Sequence, residues 1–233
     1  MWPTATSCPA GWRRSRGCRG SATSTSIPEA GAPQPRLLVF AKRPRAGEVK
    51  TRLAATIGAE AALAAYLDLL GGLLDRLDGA GPWRLELAVS PDDAAGDEGA
   101  WPRALPRLGQ GGGDLGARMG RLLAQARLET PVLIVGSDVP GLGAAHAAAA
   151  FAALARADLV LGPAPDGGYW CIGASRPPPA ELFEGVRWST PHARADTLVN
   201  AGALRVEVLD LELEDVDDEA SWRRWRAQSR AER

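Results

Sequence analysis

With 233 residues, 45% of them hydrophobic and 24% charged, the chain is long enough for a sizeable core and has an ordinary globular composition. A formal net charge of -1 argues against a general nucleic-acid binder, and no apolar run approaches the roughly 20 residues that cross a bilayer. The three cysteines, Cys8, Cys18 and Cys171, are scattered too widely for a disulfide framework or a zinc site, which fits a reducing, cytoplasmic setting.

Residues 1–35 differ from everything after them. They carry Pro, Ser, Thr and Gly with Arg13, Arg14, Arg16 and Arg19, and almost no aliphatic side chains. Such a segment cannot bury enough apolar surface to offset its ordering entropy, and it has no apolar stretch of the secretory kind. It reads as a disordered tail, or as translation upstream of the true start. Residues 36–233 then read as one domain.

Leu37 to Ala41 is a short apolar run of the type found in buried parallel strands. A basic loop follows, with Pro44 and Gly47. Leu63, Leu67, Leu70, Leu74 and Leu77 recur at steps of four and three and predict one face of a helix. Leu85, Leu87 and Val89 alternate as in a strand, and after the glycines at 111–113, Asp114 is placed to cap a helix carrying Leu115, Met119 and Leu122. Val132 to Val135 predicts the next buried strand, an alanine-rich helix spans about 143–156, and Leu159 to Leu161 predicts a further strand. Tyr169 to Ile172 predicts another strand, Thr190 to Ala201 a helix, Leu204 to Val208 a strand, and the chain from about Glu219 an amphipathic helix docked through Trp222 and Trp225. Alternating strands and helices predict an α/β sandwich on a mostly parallel sheet, with ligands beyond the carboxyl ends of the strands.

The polar motifs fall just after strands. In the loop 41–52 five basic residues lie between a buried strand and a helix start, which suits phosphate, although its spacing is not that of a P-loop. Lys50 and Arg52 are the best-placed contacts; a merely solvated basic loop explains the same run. Asp138, in Gly136-Ser137-Asp138-Val139-Pro140, can hold Mg²⁺ or Mn²⁺ against substrate phosphates, or simply cap the next helix. Asp166-Gly167-Gly168-Tyr169 permits close backbone approach to a ligand, or makes a plain hairpin turn. Asp215 and Asp217 sit two apart; Asp215 is the better second metal ligand, and an acidic first helical turn is the alternative. Trp188 could stack on a base or sugar, and His192 could contact an acceptor. Cys171 reads as buried and inert.

In order, the segments F-A-K-R-P-R-A-G-E-V-K-T-R-L, G-G-D-L-G-A-R-M, V-G-S-D-V-P-G-L, G-P-A-P-D-G-G-Y-W and L-F-E-G-V-R-W-S-T resemble the bacterial DUF2064 family over roughly residues 36–225. Members of that family are often labelled glycosyltransferase and sometimes associated with arsenosugar biosynthesis. The family is similar to the nucleotide-diphospho-sugar transferase superfamily and, more distantly, to 2-phospho-lactate guanylyltransferases. The resemblance implies a GT-A-like three-layer α/β/α sandwich with a mixed, mostly parallel sheet. By position it implies Lys42, Gly47, Lys50 and Arg52 at phosphate, Asp138 and Asp215 at a metal, and Gly167, Gly168, Tyr169, Trp188 and His192 at the sugar or acceptor, with Lys50, Asp138 and Asp166 catalytic. The expected activity is glycosyl transfer from a nucleotide sugar to a small acceptor, assisted by Mg²⁺ or Mn²⁺. The alternatives are nucleotidyl transfer from a nucleoside triphosphate and a non-catalytic nucleotide-binding partner protein. Neither a nucleic acid nor a membrane is an expected partner.

Overall fold

The computed structural model describes residues 33–231, so the reading of the first 32 residues, including Cys8 and Cys18, lies outside it. Seven strands form one sheet: β1 (Arg36–Lys42), β2 (Arg84–Ser90), β3 (Arg107–Gly109), β4 (Val132–Gly136), β5 (Leu159–Pro163), β6 (Tyr169–Ala174) and β7 (Val206–Val208). Their spatial order is β3-β2-β1-β4-β6-β5-β7. β6 runs antiparallel to both β4 and β5, while the other pairings are parallel. This is the mixed, mostly parallel sheet that the sequence predicts.

Alternation along β1 and β4 sends successive side chains to opposite faces. Leu37, Val39, Leu133 and Val135 join a core with α2 (Ala59–Leu77) and α4 (Ala144–Leu154), whereas Leu38, Val132 and Ile134 join a second core with α3 (Leu115–Leu123) and α5 (Ala193–Asn200). The result is three layers. A short α1 (Thr51–Ile57) precedes α2, and the last helix, α6 (Glu219–Ala231), sets Trp222 against Leu53, Ala62 and Ala65. No helix among the described residues is long and apolar enough to cross a membrane.

Three sequence expectations need adjustment. The buried stripe of α2 is centred on Tyr66, Leu69, Leu70, Leu73 and Leu74, which leaves Leu63 and Leu67 at its margin. β2 is buried on both faces, because the intervening Glu86 pairs with Arg36 at 2.7 Å and Ala88 enters the second core. The helix expected from Thr190 begins at Ala193.

The sheet's far edge is tied by one carboxylate. Asp158, 3% exposed at the start of β5, accepts from Arg205 N at 3.0 Å and Arg205 Nη2 at 2.8 Å, and also pairs with Arg176. Hydrogen bonding to the Arg205 guanidinium, with Arg176 behind it, holds this carboxyl well below the usual carboxylate range. A depressed folded-state pKa contributes stability that is complete above the unfolded value near ~4, declines below it, and is lost only as pH falls through the depressed folded value. Asp158→Asn should therefore cost about 2 kcal/mol at pH 7, the penalty for unsatisfied groups around a buried polar site, and most of that cost should persist at pH 3, where the folded-state carboxyl is still ionised. Urea denaturation at the two pH values checks this. An unchanged midpoint at pH 7 would contradict it.

Candidate active site

β1 has β2 on one side and β4 on the other, so the chain direction away from β1 reverses there, and open α/β sheets bind ligands beyond the strand ends at such points. Two adjoining cavities, about 380 and 570 Å³, lie there. Arg52, Asp138 and Asp217 line both.

The first cavity begins at the end of β1. Tyr66 reaches up from α2; its hydroxyl accepts from Lys42 N at 2.9 Å and donates to Lys42 O at 2.8 Å, which fixes the strand end. Gln110, 3% exposed, spans the sheet by donating to Ala88 O at 2.7 Å and accepting from Arg118 at 3.0 Å. The basic loop divides by role. Arg43 is buried and held by Asp93 at 2.7 Å and Asp97 at 2.9 Å, so it staples the loop instead of meeting a ligand. Lys42, Lys50 and Arg52 line the cavity, and Gly47, at φ 81, makes the turn between them without lining it.

Lys50 lies in the wall of the first cavity, against Asp138 and Asp217, which both cavities share. Its backbone is left-handed (φ 47, ψ 47) just before α1, a conformation that costs a non-glycine residue roughly 1–3 kcal/mol and concentrates at functional sites. That turn drives the side chain inward until it is 5% exposed, where Nζ donates to Asp138 Oδ2 and lies 3.3 Å from Asp217 Oδ1. Burial works to lower the Lys50 pKa, but the Asp138 carboxylate outweighs it and the pKa is raised. Lys50 is a fixed cation.

Asp138 follows β4 and is a quarter exposed. It does not cap α4, whose N-cap is Gly143. The segment before α6 is laid across it, with Val216 N donating to Asp138 O at 2.9 Å. Extended chain puts residues two apart on one side, and Asp215 and Asp217 accordingly converge on Asp138. Carboxylate oxygens of the three lie within 4.8 Å of one another. Helix capping falls to Asp218, which accepts from Ser221 N at 2.9 Å, so an acidic first turn does not account for Asp215 and Asp217. Asp217 also receives Arg52 at 3.0 Å. The sequence reading put Asp215 ahead of Asp217, although the spacing of two was the signal for both.

Burial, reinforced by the Asp138 and Asp217 carboxylates, pushes Asp215 up to about 6. An all-oxygen set under such repulsion suits a hard divalent cation such as Mg²⁺ or Mn²⁺, which takes one or two carboxylates plus phosphate oxygens and water. The residues present therefore fit such an ion. The raised pKa also has a stability consequence. A carboxyl whose folded pKa exceeds the unfolded value, near ~4, loses stability as pH rises through the folded value. Asp215→Asn removes the charge, so the metal-free chain should gain about 1–2 kcal/mol at pH 8, after discounting for partial exposure, and almost nothing at pH 4. Thermal melting in chelator checks the sign; a loss of stability at pH 8 would contradict it.

The second cavity is lined by the β5–β6 hairpin and the segment 188–193. Asp166 Oδ1 accepts from Gly168 N at 2.8 Å, so the hairpin-turn reading of this motif holds while Asp166 and Gly168 also face the cavity. Gly167 itself does not line it. Its φ of 85 and the 2.3 Å from a would-be Cβ to Pro191 O explain the glycine, which lets the two segments clasp, with Arg194 N donating to Gly167 O at 3.0 Å. Tyr169 and Trp188 pack edge to face with centroids 6.5 Å apart, and Trp188 rests against Gly116, where a Cβ would come within 2.9 Å of its ring. Tyr169 offers its ring, since its hydroxyl is buried beside Thr197 and burial pushes its pKa up. His192 lies outside both cavities, exposed at the N-cap of α5. Cys171 is buried in β6 and its thiol pKa is pushed up by burial.

Of the residues singled out in sequence, Lys42, Lys50, Arg52, Asp138, Asp166, Gly168, Tyr169, Trp188 and Asp215 meet around these two cavities, and Gly47, Gly167 and His192 do not line them. Tyr66, Gln110 and Ser137 line the first cavity without having been anticipated. Tyr66 was hidden in an apolar helical stripe, and a lone Gln before glycines carries no motif.

No curated protein matches the sequence. Among solved structures, a protein of Desulfovibrio desulfuricans G20 described as a candidate nucleotide-diphospho-sugar transferase is 29% identical, with a TM-score of 0.69 over 80% of this chain and 83% of that one. Rv0371c of Mycobacterium tuberculosis H37Rv is 19% identical, with a TM-score of 0.52 over 83% and 98%. The 4-diphosphocytidyl-2C-methyl-D-erythritol synthase of Anaerococcus prevotii DSM 20548 is 9% identical, with a TM-score of 0.50 over 84% and 99%, a likeness of fold alone. The three-layer sheet is thus of the nucleotide-diphospho-sugar transferase kind. Residues 73–190 match the family described as "Uncharacterized protein conserved in bacteria (DUF2064)", and with half of its sequence inside that match the chain belongs to it.

Proposed function

We propose that this chain is a transferase that takes a nucleotide-activated donor, with glycosyl transfer from a nucleotide sugar to a small acceptor as the leading activity. The observation that carries the proposal is the convergence of Lys50, Arg52, Asp138, Asp215 and Asp217 where two cavities meet beyond the ends of β1 and β4. The likeness to the Desulfovibrio protein, whose description names the same class, supports it.

In this reading the donor lies in the first cavity with its phosphates toward Lys42, Lys50 and Arg52. An ammonium has three N–H donors; Lys50 spends two on Asp138 and Asp217, and the third is free to turn to a phosphate oxygen. When bound by Asp138, Asp215 and Asp217, a divalent ion adds positive charge against the diphosphate. Charge develops on the diphosphate as its bond to the sugar breaks, and fixed cations stabilise that state without reorganising. Across the junction, Asp166 has one oxygen occupied by Gly168 N and the other available to take the proton of an acceptor hydroxyl.

Nucleotidyl transfer is the second reading, because the same cations can stabilise departing pyrophosphate. Incubating the protein with nucleotide sugars or nucleoside triphosphates, Mg²⁺ or Mn²⁺ and a panel of acceptors separates the two. Nucleoside diphosphate released from a nucleotide sugar supports the first reading, and pyrophosphate from a triphosphate sinks it in favour of the second.

A further inference from the structure

The two cavities differ in charge. The first mixes the cations Lys42, Lys50 and Arg52 with Glu48, Asp138 and Asp217. The second has four carboxylates, Asp138, Asp166, Asp215 and Asp217, and a single cation, Arg52, which is itself paired with Asp217. Lys50 is not part of the second cavity's lining. Even one divalent cation at the carboxylate cluster leaves that lining with a net charge of minus one. Its remaining lining combines the Tyr169 and Trp188 rings, Leu115, Val139 and Pro191 with the uncharged polar residues Ser189 and Thr190.

We propose that the second cavity takes an acceptor that is uncharged or cationic, bears a hydroxyl or amine beside an apolar face, and carries no phosphate or carboxylate of its own. The inference rests on the transferase reading for the word acceptor, but its physical content is a preference of the cavity and does not depend on turnover. An anion entering here loses its hydration and meets like charge on several sides. A sugar or aromatic face stacks on Tyr169 and Trp188, as aromatic-lined sites favour. An amine gains from Asp166 and Asp215. The preference also bears on reaction class, since a nucleotidyl transferase that builds a diphosphate link needs a phosphorylated acceptor.

The test is equilibrium binding of matched probes to the full chain at neutral pH, with and without Mg²⁺: p-nitrophenyl glucoside, p-(aminomethyl)phenyl glucoside, whose aliphatic amine is protonated, and p-nitrophenyl glucoside 6-phosphate. We expect the neutral and amine probes to bind at least ~10-fold more tightly than the phosphate, a ratio consistent with one uncompensated like-charge contact in a partly solvated site. Asp166→Asn should narrow that ratio, and Trp188→Ala should weaken all three probes without changing it. Equal or tighter binding of the phosphate overturns the proposal, as does absence of binding by any probe. Discrimination in a protein that turns over no donor upholds the cavity's preference and removes only the transferase reading. Turnover onto a phosphorylated acceptor does the reverse.

Discussion

Replacing Lys50 by methionine is expected to lower kcat/KM for donor turnover by about 10²–10³-fold, the usual loss when one preorganised charge is withdrawn from a developing oxyanion. The side chain is 5% exposed, so its ammonium is held against Asp138 and Asp217 before any ligand arrives and pays no ordering entropy during reaction. Methionine has nearly the same length and keeps the packing beneath α1. The left-handed backbone at this residue is equally strained in both proteins, so the comparison isolates the charge. Breaking the pair leaves Asp138 and Asp217 without their cation. Because Asp217 is nearly half exposed, the stability cost should stay near 1–2 kcal/mol, below the 3–5 of a fully buried pair. Loss of turnover with a cooperative melt is the expected pair of results. Activity within threefold of the parent would show that Lys50 is structural.

Asp138→Asn should be as damaging for a different reason. Asp138 lines both cavities, belongs to the carboxylate cluster and is the nearer of the two carboxylates that bond Lys50. Asparagine keeps the shape but removes the charge that fixes the ammonium and that, in the proposed reading, would hold a divalent cation. Turnover should fall by about 10²–10³-fold, and the thermal stabilisation by Mn²⁺ or Mg²⁺ in the presence of nucleotide should shrink, since binding to the native state raises stability by mass action. A variant that keeps its divalent-ion shift and loses turnover would place the ion elsewhere.

Much of this arrangement was legible in the sequence because it follows from rules about strand ends. Buried runs at Leu37 and Val132 announce parallel strands, and the polar residues just beyond them, Lys42 and Asp138, fall where an open sheet binds ligands. The antiparallel β6 was legible as a strand but not in direction, since direction is decided by the tight Asp166–Gly168 hairpin, a turn that the same residues could equally have spent on a ligand alone. The three-residue β3 carries no alternation long enough to register. Arg43 and Lys50 look alike in a basic run. Their separation into a staple and a site cation depends on Asp93, Asp97 and Asp138, distant in sequence and brought near only by the sheet. His192 was attractive as a rare titratable residue, and its neighbour Pro191 reached the cavity instead, because the helix starts one residue after His192 and turns the imidazole outward to solvent.

The measurement that bears most directly on this picture is calorimetric titration of the full chain with nucleoside diphosphates, each with and without Mn²⁺, in the parent and in Asp138→Asn. Binding of one nucleotide that tightens at least tenfold with the ion in the parent, and loses that gain in the variant, is the predicted outcome. Nucleotide binding equally strong in both proteins and indifferent to the ion would contradict the shared role assigned to Lys50 and the three aspartates.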